Sequence, residues 1–517
     1  MRPIPNPLVG LCAGALLIAA APAARAQLEL TRSGGTLGAD LVYTLVGDPF
    51  GISLLLPSLQ TGPTPLALLD PSDPRVLGVG IDVPALWSVG VHDGAGVRTV
   101  PFPLPSVVGL NGLVLFAQAI ALPGATTAVG DISDRTAVAL GAPNVSVATP
   151  FEAPAGWAGH SATLLADGRV LIAGGAASDA LGASLPTDGL HLYDPQSGAF
   201  TTLAGTLATG RVAHTATRLA DGRVLIVGGT GDLGTALASA EVVDPVAGTS
   251  TPTAALSEPR VAHTATLLAD GRVFVAGGTQ NFDFSDPLAG LLDVLASTRL
   301  WNPATGTWAA GPNLPARRIA HAATRLNDGR VLVSGGLIVN VFFGIPLPAI
   351  SGDCRLYNPA TNAFSSAAGV PGARAFHGQV ILPDGRVLAA GGADGDVLTQ
   401  VFNTRADTHV YNPANNTWIA FGALNAARAY VQLTVSGNGQ RVVASGGVAS
   451  IDLAAGGGAA ATTTESAPLP GGTWTTIGAP LGLRPLAPAV AIDGGRRILT
   501  TGAAAPLDLS AETLVLY

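Results

Sequence analysis

Pairs of adjacent glycines recur at residues 174/175, 228/229, 277/278, 335/336, 391/392 and 446/447, followed by a degenerate Thr501-Gly502, so successive copies stand 54, 49, 58, 56, 55 and 55 residues apart. A sustained period near 50 residues marks a repeat architecture, in which each copy is one supersecondary unit that buries its apolar faces only against its neighbours. The period therefore overrides the count of about three domains that 517 residues alone would suggest.

Each part of a copy has a mechanical reading. The best-kept copy runs Arg-Val-Ala-His-Thr-Ala-Thr-Arg-Leu-Ala-Asp-Gly-Arg-Val-Leu-Ile-Val-Gly-Gly from Arg211 to Gly229. Asp-Gly at 167/168, 221/222, 270/271, 328/329 and 384/385 joins two apolar runs, and both residues tolerate the positive φ of a tight hairpin. That places strands one and two on either side. The Gly-Gly pair ends strand two where backbones approach closely. Asp194-Pro195, Asp244-Pro245, Asn302-Pro303, Asn358-Pro359 and Asn412-Pro413 end strand three, because proline cannot donate to a ladder and the Asx side chain closes a turn. Phe200, Trp308, Phe364, Trp418 and Trp474 fall on strand four as wedges between sheets.

Four strands per copy and seven copies imply sheets packed face to face, and radial packing leaves only short edges. The combination of Asp-Gly-Arg-Val, Gly-Gly, Tyr-Asp-Pro and Trp from about residue 143 to 517 resembles the kelch repeat. The resemblance implies an all-β, seven-bladed kelch-type β-propeller. Tyr517 aligns with Tyr193, Tyr357 and Tyr411 of strand three, so the seventh copy lacks its own fourth strand. The strand-like segment 146–151 is expected to pair beside residues 512–517 and close the ring.

Residues 27–140 do not follow the repeat. Their apolar runs, Leu41–Val46, Ile52–Leu56, Val76–Val83, Val97–Pro103 and Leu113–Leu122, read as a small antiparallel β-sandwich. Asn111, Gln118 and Pro123 argue that Val107–Leu122 is a hairpin strand rather than a membrane span. Residues 1–26 read as a secretory signal: Arg2, an apolar core from Leu8 to Ala21, and Ala24-Arg25-Ala26 before Gln27. The product is expected to be secreted, periplasmic or on the cell surface, with no membrane span after cleavage. Of Cys12 and Cys354 only the latter would remain, so stability must come from the core.

Net charge is 26 − 34 = −8, and every basic residue is Arg. Dispersed arginines on an acidic chain offer no tract for a phosphate backbone, which argues against nucleic acid as a partner. Long connections from strand two to strand three, 279–297, 337–353, 393–407 and 448–464, emerge on the same side as the links between copies. A binding face belongs there. Arg211, Arg260, Arg318, Arg374, Arg428 and Arg484 recur three residues before the His position, where the first copy has Trp157. They either ring a channel mouth and bind an anion, or fasten adjacent sheets. The companion residues His160, His214, His263, His321 and His377 give way to Val431 and Ala487. Spread around a ring, they stand too far apart for one metal ion. Phe282, Phe284, Phe342 and Phe343 sit in two of the long connections, which either dock against the amino-terminal sandwich, fold into a local strand pair or await a partner.

Some kelch-like propellers are copper radical oxidases, whose ligand set requires a Cys cross-linked to Tyr, a Tyr-His pair and a further His. No Tyr-His dipeptide occurs here. A sugar mutarotase of this type would use acid–base groups near the channel, for which Glu258 is a candidate. The favoured reading is an exported, non-catalytic binding or scaffold protein that presents one loop-rich face to a protein or glycan, with no cofactor and no metal. The alternative is a carbohydrate-active kelch enzyme, mutarotase-like or, further off, copper-oxidase-like.

Overall fold

The computed structural model describes residues 27–68, 73–122, 129–141, 146–149, 158–178, 184–281, 290, 293–343, 345–398, 401–451, 459–477, 488–492, 497–501 and 513–516. Among these residues every regular element is a strand or a three-residue 3-10 turn. The chain divides into two compact units, Met1–Pro143 with Gln196–Gly198, and Asn144–Pro195 with Ala199–Tyr517.

The first unit holds two main antiparallel sheets. Glu29–Ser33, Asp40–Val46 and Val97–Pro103 make one; Ser88–Val91, Ile52–Ser58, Val114–Ala121 and Thr136–Ala139, in that spatial order, make the other. Alternation in Asp40–Val46 sends Leu41, Tyr43 and Leu45 inside, as a half-buried strand requires. Leu54, Leu55 and Leu56 are buried in succession, so the central strand Ile52–Ser58 is covered on both faces. The apolar run near residue 115 is the strand Val114–Ala121, and no helix among the described residues is long and apolar enough to cross a membrane.

The second unit contains seven four-stranded antiparallel sheets among its described residues, one per copy of the repeat. The second copy shows the order: Thr215–Arg218, Val224–Val227, Ala240–Asp244 and Thr249–Thr253 lie side by side in chain order. Strand two of the first five copies is four residues long and fully buried, the signature of a strand sandwiched between neighbouring sheets. First strands touch in sequence from copy to copy. Ala489–Ile492, the first strand of the last sheet, touches both Gln432–Val435 of the sixth and Ser161–Leu164 of the first. In that last sheet the fourth position is taken by Ser146–Ala148, which runs antiparallel to Thr513–Leu516 with Val147 opposite Val515.

Local chemistry explains the strand ends. In the second copy Leu219 donates its amide to the Arg223 carbonyl at 2.7 Å, leaving a three-residue loop in which only Gly222, at φ 90°, is left-handed. The hairpin is thus longer than a two-residue turn. Asp221 serves it through its carboxylate, which accepts the Arg223 amide at 3.1 Å, rather than through a positive φ. Asn302, Asn358 and Asn412 each accept the amide two residues on at 3.0 Å, closing the Asx turn after strand three. At Gly174 and Gly175, with φ 60° and 98°, a Cβ would lie 2.6 Å from the Arg211 carbonyl oxygen and 2.8 Å from the His160 Cβ. Only glycine fits between those groups.

The aromatic wedge follows the ladder register. Phe200 lies opposite Tyr193, Trp308 opposite Trp301, Phe364 opposite Tyr357 and Trp418 opposite Tyr411. Tyr357 also stacks on Phe274 of the preceding sheet at 4.1 Å between ring centres, so the pair bridges two sheets. The second copy has Val243 opposite Ser250 instead and packs against the first through aliphatic side chains.

Removal of residues 143–152 deletes the strand beside Thr513–Leu516 and exposes its edge. Differential scanning calorimetry should show the melting temperature falling by about 5 °C or more; an unchanged melt means that this strand does not hold the last sheet.

Candidate binding face

In each sheet the strand-two-to-three connection and the link from the preceding copy emerge at one end, so the candidate residues of both kinds share one face of the second unit. Five of the six recurring arginines are described, and Arg484 lies outside the described residues. Arg211, Arg260, Arg318, Arg374 and Arg428 are 0% exposed. An anion site needs guanidinium groups that a ligand can reach, and these five are sealed inside the protein.

Each of these arginines joins two copies. Its carbonyl accepts the amide of the second glycine in the preceding Gly-Gly pair, from Gly175 to Arg211 at 2.9 Å through Gly392 to Arg428 at 2.9 Å. Its guanidinium donates to the first glycine carbonyl of its own copy, as Arg211 does to Gly228 at 3.0 Å and Arg374 to Gly391 at 3.1 Å. Burial lowers the pKa of Arg211, and Glu241 opposes that shift. Every described member has a carboxylate within reach: Glu241 at 2.6 Å, Glu258 at 3.1 Å, Asp353 at 2.6 Å, Asp407 at 2.5 Å and Glu465 at 2.7 Å.

The acid comes from different places. Glu241 and Glu465 occupy one strand-three position, opposite Ile226 and Ala444. In the third and fourth copies that position is an arginine, Arg299 or Arg355, and the acid moves to Glu258 or Asp353, which then binds both arginines. In the fifth it is His409, and Asp407 bridges Arg374 and Arg405. A buried guanidinium requires a counter-charge wherever the chain can supply one.

The histidines form a second belt. The Nε2 of His214 lies 2.8 Å from Ser161 Oγ of the preceding copy; His263 meets Thr215 at 2.9 Å and His321 meets Thr264 at 2.9 Å. The fourth copy has Ala322 at the hydroxyl position, and Ser334 across the ladder supplies the group to His377 at 2.9 Å. The fifth copy has Gly378 there, and the next copy has Val431 in place of histidine. Burial, followed by the charge of the nearby arginine, pushes His214, His263 and His377 down to about 3 and His321 well below its ordinary value. They are neutral in the folded protein. The Ser/Thr after each of the first three histidines was the sequence signal for these inter-sheet bonds.

Two of the long connections are structured. Leu337–Phe342 and Ile345–Ile350 form a hairpin whose first strand pairs with Arg317–Ile319, and Ala393–Asp396 pairs with Val401–Thr404. Val294, Leu337, Val339 and Val397 are buried together, with Ile319, Ile350 and Phe402 against them. The outer part of the first hairpin stays in solvent: Val341, Phe343, Ile345 and Leu347 are 44%, 90%, 61% and 47% exposed. Phe282, Phe284 and the side chain of Phe342 lie outside what the structure describes.

Sequence reasoning passed over Phe376 and Tyr430. They occupy the place immediately before the His position, which in the first four copies is Gly159, Ala213, Ala262 and Ala320. The signal was a change from small to aromatic at one repeat position.

Cys354 is buried, its thiol 3.6 Å from the Gly352 carbonyl and pushed up to about 11 by burial. Among the described residues no three His, Cys, Asp or Glu side chains are grouped to hold a metal ion. Glu258 is taken up by Arg260, Arg299 and Ser297, the last at 2.7 Å.

No protein-family model and no curated protein matches the chain. Among solved structures it is similar to a fungal alcohol oxidase of the AA5 family in complex with copper, with a TM-score of 0.54 at 14% identity over 72% of this chain and 75% of that one. YjhT aligns with a TM-score of 0.46 at 16% identity over 63% of this chain and 98% of its own. The chain is an all-β, propeller-like protein.

Two measurements test the roles assigned to the belts. Arg211→Met alone should cost about 3–5 kcal/mol in denaturant unfolding by leaving Glu241 buried and uncompensated, whereas Arg211→Met with Glu241→Leu should cost far less. Equal losses would contradict a coupled pair. The histidine pKa values are depressed in the fold, so their contribution to stability is complete above about 6.5 and is lost as pH falls toward about 3. Unfolding free energy should drop by up to about 1.4 kcal/mol per pH unit for each histidine in that window. A flat profile between pH 6 and 4 would mean that the rings already titrate normally.

Proposed function

We propose that the chain is an exported, seven-bladed kelch-type β-propeller preceded by a small β-sandwich, and that it works as a binding module rather than as a catalyst. Seven four-stranded sheets, first strands in cyclic contact, and the strand Ser146–Ala148 beside Thr513–Leu516 support the propeller. Export rests on the leader-like composition of residues 1–26. The face carrying the Leu337–Phe342/Ile345–Ile350 hairpin meets a protein or glycan outside the cytoplasm.

The observation that carries this reading is Phe343. It stands at the tip of that hairpin, 90% exposed, with φ at 50°. A left-handed turn residue is favoured as Asn or Gly, so a Phe there is unfavourable by conformation. Phe343 is therefore strained in its backbone and lies largely in solvent. Its neighbours Pro346 and Pro348 on the outer strand remove amides that a pairing strand would need, so recognition is through side chains. An apolar cluster left in solvent at one hairpin, Val341, Phe343, Ile345 and Leu347, is accounted for by a partner that covers it. The similarity to a copper enzyme extends to fold alone.

Phe343→Asn should leave the melting temperature unchanged or raised while reducing, by at least about tenfold, recovery of the bound partner from native envelope extract. Destabilisation with intact recovery would show that Phe343 serves the fold instead.

A further inference from the structure

The turns between strands three and four emerge at the end of each sheet opposite the long connections. In the third, fourth and fifth copies they run from Asn302 to Gly306, Asn358 to Asn362 and Asn412 to Asn416. The last residue is left-handed in each, with φ of 65° at Gly306, 49° at Asn362 and 55° at Asn416. Glycine and asparagine both tolerate that conformation, so either can stand there. The fourth and fifth copies use the asparagine side chain: Asn362 accepts the Tyr357 hydroxyl at 3.0 Å and Asn416 the Tyr411 hydroxyl at 2.9 Å. The Asn416 oxygen also accepts the Ala368 amide of the preceding sheet at 2.8 Å. The third copy has neither member of that pair. Trp301 stands at the tyrosine position and gives its indole N–H to Thr253 of the preceding sheet at 3.3 Å, and Gly306 has no side chain to offer.

A cavity of about 280 Å³ lies there, between the second and third sheets, with Gly306 in its wall. Val242, Trp301 and Pro303 line it with apolar surface, and Arg223, Asp244 and Thr251 with polar groups. These polar groups are only partly used within the protein. Arg223 commits its Nε and Nη2 to Asp221, at 2.8 Å and 2.7 Å, which leaves Nη1 as a donor among the described residues. Asp244 accepts the Val246 and Ala247 amides through Oδ1, both at 2.9 Å, which leaves Oδ2 as an acceptor. Thr251 is exposed and the Arg223 side chain is 40% exposed, so the cavity can be reached from solvent. Its volume falls short of what a drug-sized ligand fills and suits a single polar side chain.

We propose that this cavity is a binding site for a neutral carboxamide, the side chain of an asparagine or glutamine on a polypeptide partner. One planar group offers its oxygen to Arg223 and its N–H to Asp244, so a donor and an acceptor are satisfied together. A carboxylate has nothing to donate to Asp244, and an ammonium has nothing with which to accept from Arg223. Either would leave one of the two groups unpaired on losing water. The chain supplies its own precedent, because the fourth and fifth copies seat an asparagine carboxamide beside the aromatic residue at the same repeat position. The site lies at the other end of the sheets from the Phe343 hairpin and does not depend on it.

The test is heteronuclear NMR of the full chain labelled with nitrogen-15 tryptophan, following the Trp301 indole signal, which Trp301→Phe identifies by its loss. The N-acetyl N-methylamide of asparagine or glutamine should shift that signal with a dissociation constant of about 1 mM, the affinity expected of so small a probe. The corresponding alanine, aspartate and lysine derivatives and N-acetylglucosamine should leave it in place. Asp244→Asn introduces the residue found at Asn302, Asn358 and Asn412, and should weaken the carboxamide at least about fivefold with the melting temperature unchanged. A Cβ at Gly306 meets Thr253 Oγ1 at 3.1 Å, so Gly306→Asn fits with a small adjustment, fills the cavity and should abolish the shift. No shift with either carboxamide, a shift with the alanine or a charged derivative, or either variant binding as the unaltered protein does would overturn the site. A response to N-acetylglucosamine in place of the amino-acid derivatives would overturn the polypeptide assignment. Phe343→Asn should leave the Trp301 response unchanged, so failure here is distinct from failure of the binding-module reading.

Discussion

Everything in the repeat unit turns on one buried joint, the arginine that reaches into its own sheet while its carbonyl holds the sheet before. A guanidinium with no exposure is costly to desolvate, and it is tolerated here because two backbone carbonyls and a carboxylate meet it in each described copy. The Gly-Gly pair follows from that joint. Its amide and carbonyl are the groups the arginine binds, and the next histidine ring leaves no room for a Cβ. Glycines, arginine, histidine and the relocating acid are therefore one device repeated around the unit.

That device decides what the candidate face can offer. Groups that look reactive in the sequence, a line of arginines and a line of histidines, are consumed in fastening sheets. What the candidate face leaves exposed at strained positions is apolar: Phe343 at a turn that favours Asn, and Phe376 with Tyr430, partly exposed, at positions that favour glycine. Binding through rings and aliphatic side chains fits a protein that has neutralised its buried charge internally.

The repeat period, the strand limits and the Asx turns were legible because each rests on local chemistry, and residues such as Asn302 and Gly222 act within their own turn. The segment Val97–Pro103 reads identically in sequence and structure. Legibility failed where the partner lies in another copy. The acid that meets Arg318 is Asp353, thirty-five residues on, while the acid for Arg260 is two residues before it, so no fixed spacing reveals the pair. The connection after Gly336 allowed a local strand pair as one reading of its apolar run, and it forms that hairpin, but its pairing with Arg317–Ile319 was not legible because that strand precedes the repeat's first strand. The strain at Phe376 is invisible until φ is known.

The central claim is that the arginine joints bind sheet to sheet and are as stable as the core. Native-state hydrogen exchange of the Gly175, Gly229, Gly278, Gly336 and Gly392 amides tests it directly, since each donates to an arginine carbonyl of the following copy. The account predicts that these five exchange only through global unfolding, with the same free energy as strand-two amides. Exchange at the rate of surface turns, with strand two still protected, would show that the sheets are held together by something else.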